Sequence, residues 1–397
     1  MNTIIQNLKT LTHFDSSGEF FTRKNVSILI DKSGTIQKIQ SKKIPKKSKT
    51  KIIDGSNLIG LPSYVDCHSH TLFGGNRANE FQLKCEGKSY LEIAAMGGGI
   101  PSTQNATAEA SDEELMELVS KRIAKFIAQG VRGLEIKTGY GLSHDEEIRH
   151  LRLLNKIKKK HQNKIKIWVT YLGPHAVLKN VDKDDYLDEI CLKTLPLIAK
   201  ENLSDFVDIF VDEGFFSAKD MEKYCNTAEK LRLKVKAHID EIKNLGGAEI
   251  AAKYNLVSVD HCRHTSVRDF EKLKVRGVQV VFLPATSFYI EEGFVNMNEL
   301  RKTGIQPAIS LDYNPGSQPS LWWPFVMYLG LKKMRMTEAE LLHATTIAPL
   351  NAVNIKPQEW CFEKGMKCKL NLFEASSVSE LAYRFGENLL VHSIFYA

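Results

Sequence analysis

The sequence has no CxxC pair, no apolar run long enough to cross a membrane and no glycine-rich phosphate-binding turn, and each absence narrows the reading. Its seven cysteines, at 67, 85, 191, 225, 262, 361 and 368, are odd in number, which argues against a disulfide framework and fits a reducing compartment. Nothing approaches the ~20 apolar residues of a bilayer span. Met1 to Phe14 alternates apolar and polar residues and lacks the apolar core of a signal peptide. A cytoplasmic protein is the expectation. A doubly wound nucleotide-binding sheet would need a glycine fingerprint after its first strand. Gly97-Gly-Gly99 follows no strand and opens no helix directly, so it reads as a mobile loop.

What is present suits a soluble enzyme-sized fold. Hydrophobic residues make up 43% of the 397 and charged residues 25%, enough for a large core and against disorder. The net charge of +7 is spread along the chain except at Lys42–Lys51, which reads as a solvated loop. Neither a nucleic acid nor a membrane is expected as a partner.

The first sixty residues read as short strands and turns, with a hairpin signal at Asp31-Lys-Ser-Gly34 between Val26–Ile30 and Thr35–Ile39. From about Leu61 short apolar strands alternate with amphipathic helices. Eight strands are predicted: Tyr64–Cys67, Val131–Lys137, Lys166–Tyr171, Phe206–Val211, Val235–Ile239, Leu256–Val259, Val278–Leu283 and Ala308–Leu311. That is the count a closed (β/α)₈ barrel requires. The clearest helix begins at Ser111, where Ser-Asp-Glu-Glu114 is a capping box and Leu115, Leu118, Val119, Ile123, Phe126 and Ile127 share a face. After the helical segment Glu338–Leu350 the tail turns β-like, at Lys369–Phe373 and Leu389–Phe395. The expected organisation is a catalytic barrel over 59–350 and a small β-sandwich module built from 1–58 and 351–397.

The C-terminal ends of barrel strands are where this fold builds activity. Strand one ends His68-Ser-His70, and its two imidazoles, two apart on extended chain, point to one side. Cys67 and Ser69 point the other way. An HxH pair alone is a weak signal. His238 at the end of strand five and Asp312 at the end of strand eight complete three nitrogens and a carboxylate, the set of an open catalytic site for zinc or iron. Strand ends also carry Lys137-Thr-Gly-Tyr140, Gly173-Pro-His175, Asp212-Glu213, Glu241 and Asp260-His261. Strand-end polar residues often only satisfy loop backbone, but that explains poorly why so many converge.

Together Asp66-Cys-His-Ser-His70, Gly87-Lys-Ser-Tyr90, Gly97-Gly-Gly99, Lys137-Thr-Gly-Tyr-Gly-Leu142, Gly173-Pro-His175, His238-Ile-Asp-Glu241, Asp260-His261 and Asp312-Tyr-Asn-Pro-Gly-Ser317 resemble the imidazolonepropionase family of the amidohydrolase superfamily. The resemblance runs from about residue 55 to the C-terminus. It implies one zinc or iron ion per chain on His68, His70, His238 and Asp312, and hydrolytic opening of 4-imidazolone-5-propanoate to N-formimidoyl-L-glutamate in histidine degradation. It further implies that Arg77 binds the substrate's carboxylate and that Tyr140, His175, Asn314, Gly316 and Ser317 line its pocket. Glu241, His261 and Asp312 would carry proton transfer and charge stabilisation, and a homodimer is the implied assembly. The usual Ala-Asp-Leu before the tail strand is here Cys368-Lys-Leu370, a departure that removes no ligand. His264 matches no family role and reads as a surface residue. The nearest rival is a cytosine-deaminase-like enzyme, since His238-Ile-Asp-Glu241 also fits a deaminase pattern. A binuclear enzyme lacks its bridging lysine at strand four, and a silent scaffold does not explain an intact ligand set.

Overall fold

The computed structural model describes residues 1–46, 48–88, 92–93 and 96–396. Two sheets organise them. Strands β6 to β13 form an eight-stranded parallel sheet in sequence order: Tyr64–Asp66, Val131–Lys137, Lys166–Tyr171, Phe206–Val211, Val235–Ile239, Ser258–His261, Gln279–Phe282 and Ala308–Ile309. All eight predicted strands are placed within two residues at each end. The sixth begins two residues later than expected, because pairing of Lys236 with Ser258 and His238 with Asp260 sets its register rather than the apolar pair Leu256-Val257. The sheet closes where the chain leaves its first and last strands: Asp312 N donates to His68 O (3.0 Å) and His70 N to Tyr313 O (2.9 Å). This seam brings two histidines and an aspartate, some 240 residues apart in the chain, onto adjacent extended segments.

The second sheet holds β1 to β5 (Asn2–Phe14, Phe20–Ile30, Ile36–Gln40, Thr50–Asp54 and Ile59–Pro62) with β14 and β15 (Lys369–Phe373 and Leu390–Phe395). Antiparallel pairing of Leu370 with Pro62 through Phe373 with Ile59 joins the two chain ends. Its own core gathers Ile5, Leu8, Leu11, Val26, Ile28, Leu370 and Leu372. The strands here are longer than expected, β1 reaching thirteen residues. The basic segment is not all loop either, since Thr50 and Lys51 pair with Asn2 and Thr3; the described lysines at 42, 43, 46, 49 and 51 are exposed, and Lys47 lies outside the described residues.

Helices cover the barrel. Asp112–Ile127 starts on the predicted capping box, with Glu114 N donating to Ser111 Oγ and Ser111 N to Glu114 Oε2, and it buries Leu115, Val119, Ile123 and Phe126. Gly130 then turns the chain into β7 with φ +88°. One expectation is corrected: Gly99, at φ +85°, directly precedes a helix, Ile100–Glu109. That helix is rich in Ser, Thr, Gln and Asn and buries only Thr103 and Thr107, so no apolar period announced it. In the Gly87–Tyr90 motif, Ser89 and Tyr90 lie outside the described residues. Among the described residues no helix is long and apolar enough to cross a membrane.

Candidate metal centre and active site

His68 and His70 leave β6 on the same side, as alternation requires, while Cys67 packs into a core with Val65 and Phe14 and Ser69 Oγ donates to Glu135 O (2.7 Å). His68 Nε2 lies 3.3 Å from His70 Nε2 and 3.3 Å from Asp312 Oδ1; His70 Nε2 is 3.4 Å from the same oxygen and 3.5 Å from His238 Nε2. All four side chains are almost wholly buried.

The tautomers follow from the outer partners. His68 Nδ1 donates to Asp260 Oδ2 (2.7 Å) and His238 Nδ1 to Asp208 Oδ1 (3.1 Å), so the Nε2 lone pairs face inward. The inward nitrogens of His68 and His238, with His70 Nε2 and a carboxylate oxygen, thus converge on one point. Four donors around one ion with ~2.1 Å bonds stand roughly 3.4 Å apart. The four spacings given match that, and His68, His70 and Asp312 group closely enough to hold a cation, as do His68, His238 and His261, so the residues fit a divalent cation. The field agrees. Burial and Lys137 disfavour charge on His68, yet Asp260 and Asp312 outweigh them and raise it to about 9, marking a place that attracts positive charge. Burial likewise opposes ionisation of Asp312, but His68 and His70 hold its carboxyl well below the usual range. Thr286 Oγ1 donates to Asp312 Oδ2 (2.6 Å) and fixes the carboxylate's rotation.

Around this centre stand the other predicted side chains. His175 stacks on His70 with ring centroids 5.2 Å apart and donates from Nδ1 to Gly139 O (2.8 Å). Burial and the neighbouring His70 push its pKa down to about 3, so it is neutral. Tyr140 sits edge-on to His175, centroids 5.6 Å apart. His261 Nδ1 is 3.6 Å from Glu241 Oε2, and burial pushes the Glu241 carboxyl up against the pull of His261. His261 and Asp312 both have positive φ, +71° and +54°, a conformation that costs non-glycine residues of order 1 kcal/mol or more and gathers at functional sites. Arg77 Nε donates to Thr103 Oγ1 (2.8 Å), and its guanidinium lies against Gly316, where an added Cβ would sit 2.4 Å from Arg77 Nη1. Asn314 braces that turn from within: its Oδ1 accepts from Gly316 N and Ser317 N (2.8 Å each) and its Nδ2 donates to Asp312 O (2.8 Å). His264 is exposed.

Asp212 was noted at a strand end without a role, and Arg263 and Glu147 escaped the sequence reading. Asp212 Oδ2 accepts from Glu241 N (2.7 Å) and Ile242 N (2.8 Å), and Arg263 Nε donates to Glu241 O (2.9 Å), so the peptide groups on both sides of Glu241 are held. Glu147 Oε1 accepts from Gly139 N (3.2 Å), Gly141 N (2.7 Å) and Leu142 N (3.1 Å), shaping the loop that presents Tyr140. Glu147→Leu will strand these buried donors and lower stability by ~1–3 kcal/mol, read from denaturant midpoints. Glu147→Gln keeps the acceptor oxygen and will cost less; equal losses would show that the hydrogen bonds are not what matters.

An eight-stranded parallel barrel with this donor set at its strand ends defines a metal-dependent hydrolase of the amidohydrolase type. Solved structures agree on the fold: a 5-methylcytosine deaminase from Klebsiella pneumoniae superposes with TM-score 0.73 at 17% identity, covering 100% of this chain and 96% of that one. An atrazine chlorohydrolase from Arthrobacter aurescens, crystallised with zinc, gives 0.66 at 14% identity over 94% and 87%. No protein-family model matches. Curated relatives are more specific. An imidazolonepropionase of Bradyrhizobium diazoefficiens is 38% identical over 332 residues, 83% of this chain and 82% of its own, and one of Flavobacterium johnsoniae is 32% identical over 403 aligned positions, 98% of each. The chain belongs to the imidazolonepropionase family.

Proposed function

We propose that the chain hydrolyses the ring of 4-imidazolone-5-propanoate to N-formimidoyl-L-glutamate, a step of histidine degradation, with one zinc or iron ion held by His68, His70, His238 and Asp312. Beyond family membership, the observation that carries the substrate class is Arg77: a guanidinium near enough to act on Tyr140 and His175, packed on a glycine that leaves room for nothing larger. A planar fork of this kind suits the substrate's carboxylate. Support for a single ion comes from Lys137. Asp208, His238 and Asp260 also group closely enough to hold a cation, but the Lys137 ammonium already contacts both carboxylates, at 2.6 and 3.2 Å.

When bound, the ion lowers the pKa of its water toward neutrality and polarises a carbonyl. The protein supplies the rest. Asp312 accepts the proton of the attacking water, whose oxygen bonds to the ring carbonyl carbon, and returns it to the ring nitrogen as the carbon–nitrogen bond breaks. His261 stabilises the charge developing on the carbonyl oxygen, and Glu241 orients the water or the ring nitrogen. Neutral His175, with Nδ1 spent on Gly139, offers Nε2 as an acceptor for the substrate, and Tyr140 offers its hydroxyl.

The test is loss of imidazolone absorbance with purified, metal-quantified protein, with cytosine as the comparison substrate. Turnover of cytosine but not of the imidazolone would overturn the reading in favour of a deaminase. Arg77→Ala will raise KM roughly 10- to 100-fold, the loss of a charge-assisted hydrogen bond worth about 1.5–3 kcal/mol. It will leave kcat within a few-fold. An unchanged KM would place the carboxylate elsewhere.

A further inference from the structure

Beneath the donors the barrel encloses a second layer made of charge. Lys137 Nζ donates to Asp208 Oδ2 (2.6 Å) and lies 3.2 Å from both Asp260 Oδ2 and Glu135 Oε1. Lys236 Nζ pairs with Glu135 Oε2 and donates to Cys67 O (3.1 Å). All five charged side chains have no exposed surface. They come from four strands, β7, β9, β10 and β11. Burying ions costs several kcal/mol apiece, and apolar residues of similar size often do better, so stability alone does not account for this layer.

Its connectivity does. Asp208 turns its other oxygen to His238, and Asp260 accepts from His68 with the oxygen that also faces Lys137. One ammonium therefore touches both carboxylates that orient two of the ligand imidazoles. We infer that Lys137 is a positioning residue for the metal centre, cross-linking His68 and His238 through Asp260 and Asp208 so that their donor atoms are set as a pair. Lys236 and Glu135 hold it in place, Glu135 touching both lysines. A purely electrostatic role predicts the opposite sign: removing a cation from beneath the donors would strengthen their attraction for a dication. Positioning predicts weakening.

The inference rests on the proposed metal reading but not on the substrate. The experiment uses the full chain stripped of metal, with zinc affinity measured by chelator competition and the fold checked by circular dichroism and thermal unfolding. Asp208→Asn and Asp260→Asn will each weaken zinc binding about 10- to 100-fold. The double variant will weaken it by clearly less than the product of the single factors, because either change already unseats the shared ammonium. Lys137→Met, if folded, will bind zinc more weakly than the parent, and adding Asp260→Asn to it will change little. Losses that multiply independently would overturn the inference, as would a folded Lys137→Met that binds zinc as tightly as the parent or tighter. Should Lys137→Met not fold, the pair of aspartate variants decides. Failure of the parent chain to bind zinc or ferrous iron would instead overturn the metal reading itself.

Discussion

Replacing Asp312 with asparagine will lower kcat roughly 10³-fold, within the range expected for loss of a general acid–base group. Three features of the site predict that the loss falls on chemistry. Asparagine has the shape of aspartate, and the buried Thr286 hydroxyl that now donates to Oδ2 can rotate to accept from an amide. The backbone at Asp312 already tolerates φ +54°, a conformation asparagine enters more readily than most residues. The seam bond from Asp312 N to His68 O is independent of the side chain. The fold and KM should therefore survive while the proton carrier is gone. Because Asp312 is also a proposed ligand, turnover must be measured with saturating metal and the bound metal counted. A metal-loaded Asp312→Asn retaining more than about a tenth of parent kcat would remove Asp312 from proton transfer.

The ligand residues were legible because they stand at or just past the ends of short strands, and strand ends are visible without knowing which strands pair. His238 follows Val235-Lys-Ala, and Asp312 follows Ala308-Ile-Ser-Leu. The second layer was harder to read. Glu135, Asp208 and Lys236 lie inside those runs, where a charge reads as an interruption. Period two gave a usable signal: Lys236 is two before His238 and Glu135 two before Lys137, so each shares a face with a residue at its strand's end. What alternation does not supply is register. Asp208 stands beside Lys236 only because β9 and β10 pair Val207 with Val235, a fact of barrel closure. The same limit hid Thr286 and Glu147 and left Asp212, visible at its strand end, without a role, because all three act through hydrogen bonds between neighbouring loops and helices. Asn314 illustrates a different gap. Its place in the turn was evident, but the bonds of its amide to Gly316, Ser317 and Asp312 backbone atoms were not.

Removing the ion will abolish turnover, and the charge around the donors says what else will happen. Lys137 and Lys236 contact Glu135, Asp208 and Asp260, two cations against three buried carboxylates, and Asp312 adds a fourth carboxylate on the far side of His68. Negative charge is therefore in excess around the donors, which favours a cation there. Without it, Nε2 lone pairs and the Asp312 carboxylate converge at 3.3–3.5 Å with no charge between them. Relief comes from protons, and His68, raised to about 9 by Asp260 and Asp312 against its own burial, is positioned to take one. The metal-free chain should thus stay folded but lose thermal stability, and its midpoint should climb with added metal as mass action requires, the unfolding free energy rising by about 2.7 kcal/mol at a hundredfold excess over Kd. Dialysis against a chelator, followed by zinc or ferrous iron added anaerobically, tests both halves. Activity and melting temperature should fall together and recover together at one ion per chain. Full turnover at less than a tenth of an ion per chain would sink the metal reading, while recovery only at two ions would place a second cation where the Lys137 ammonium now stands.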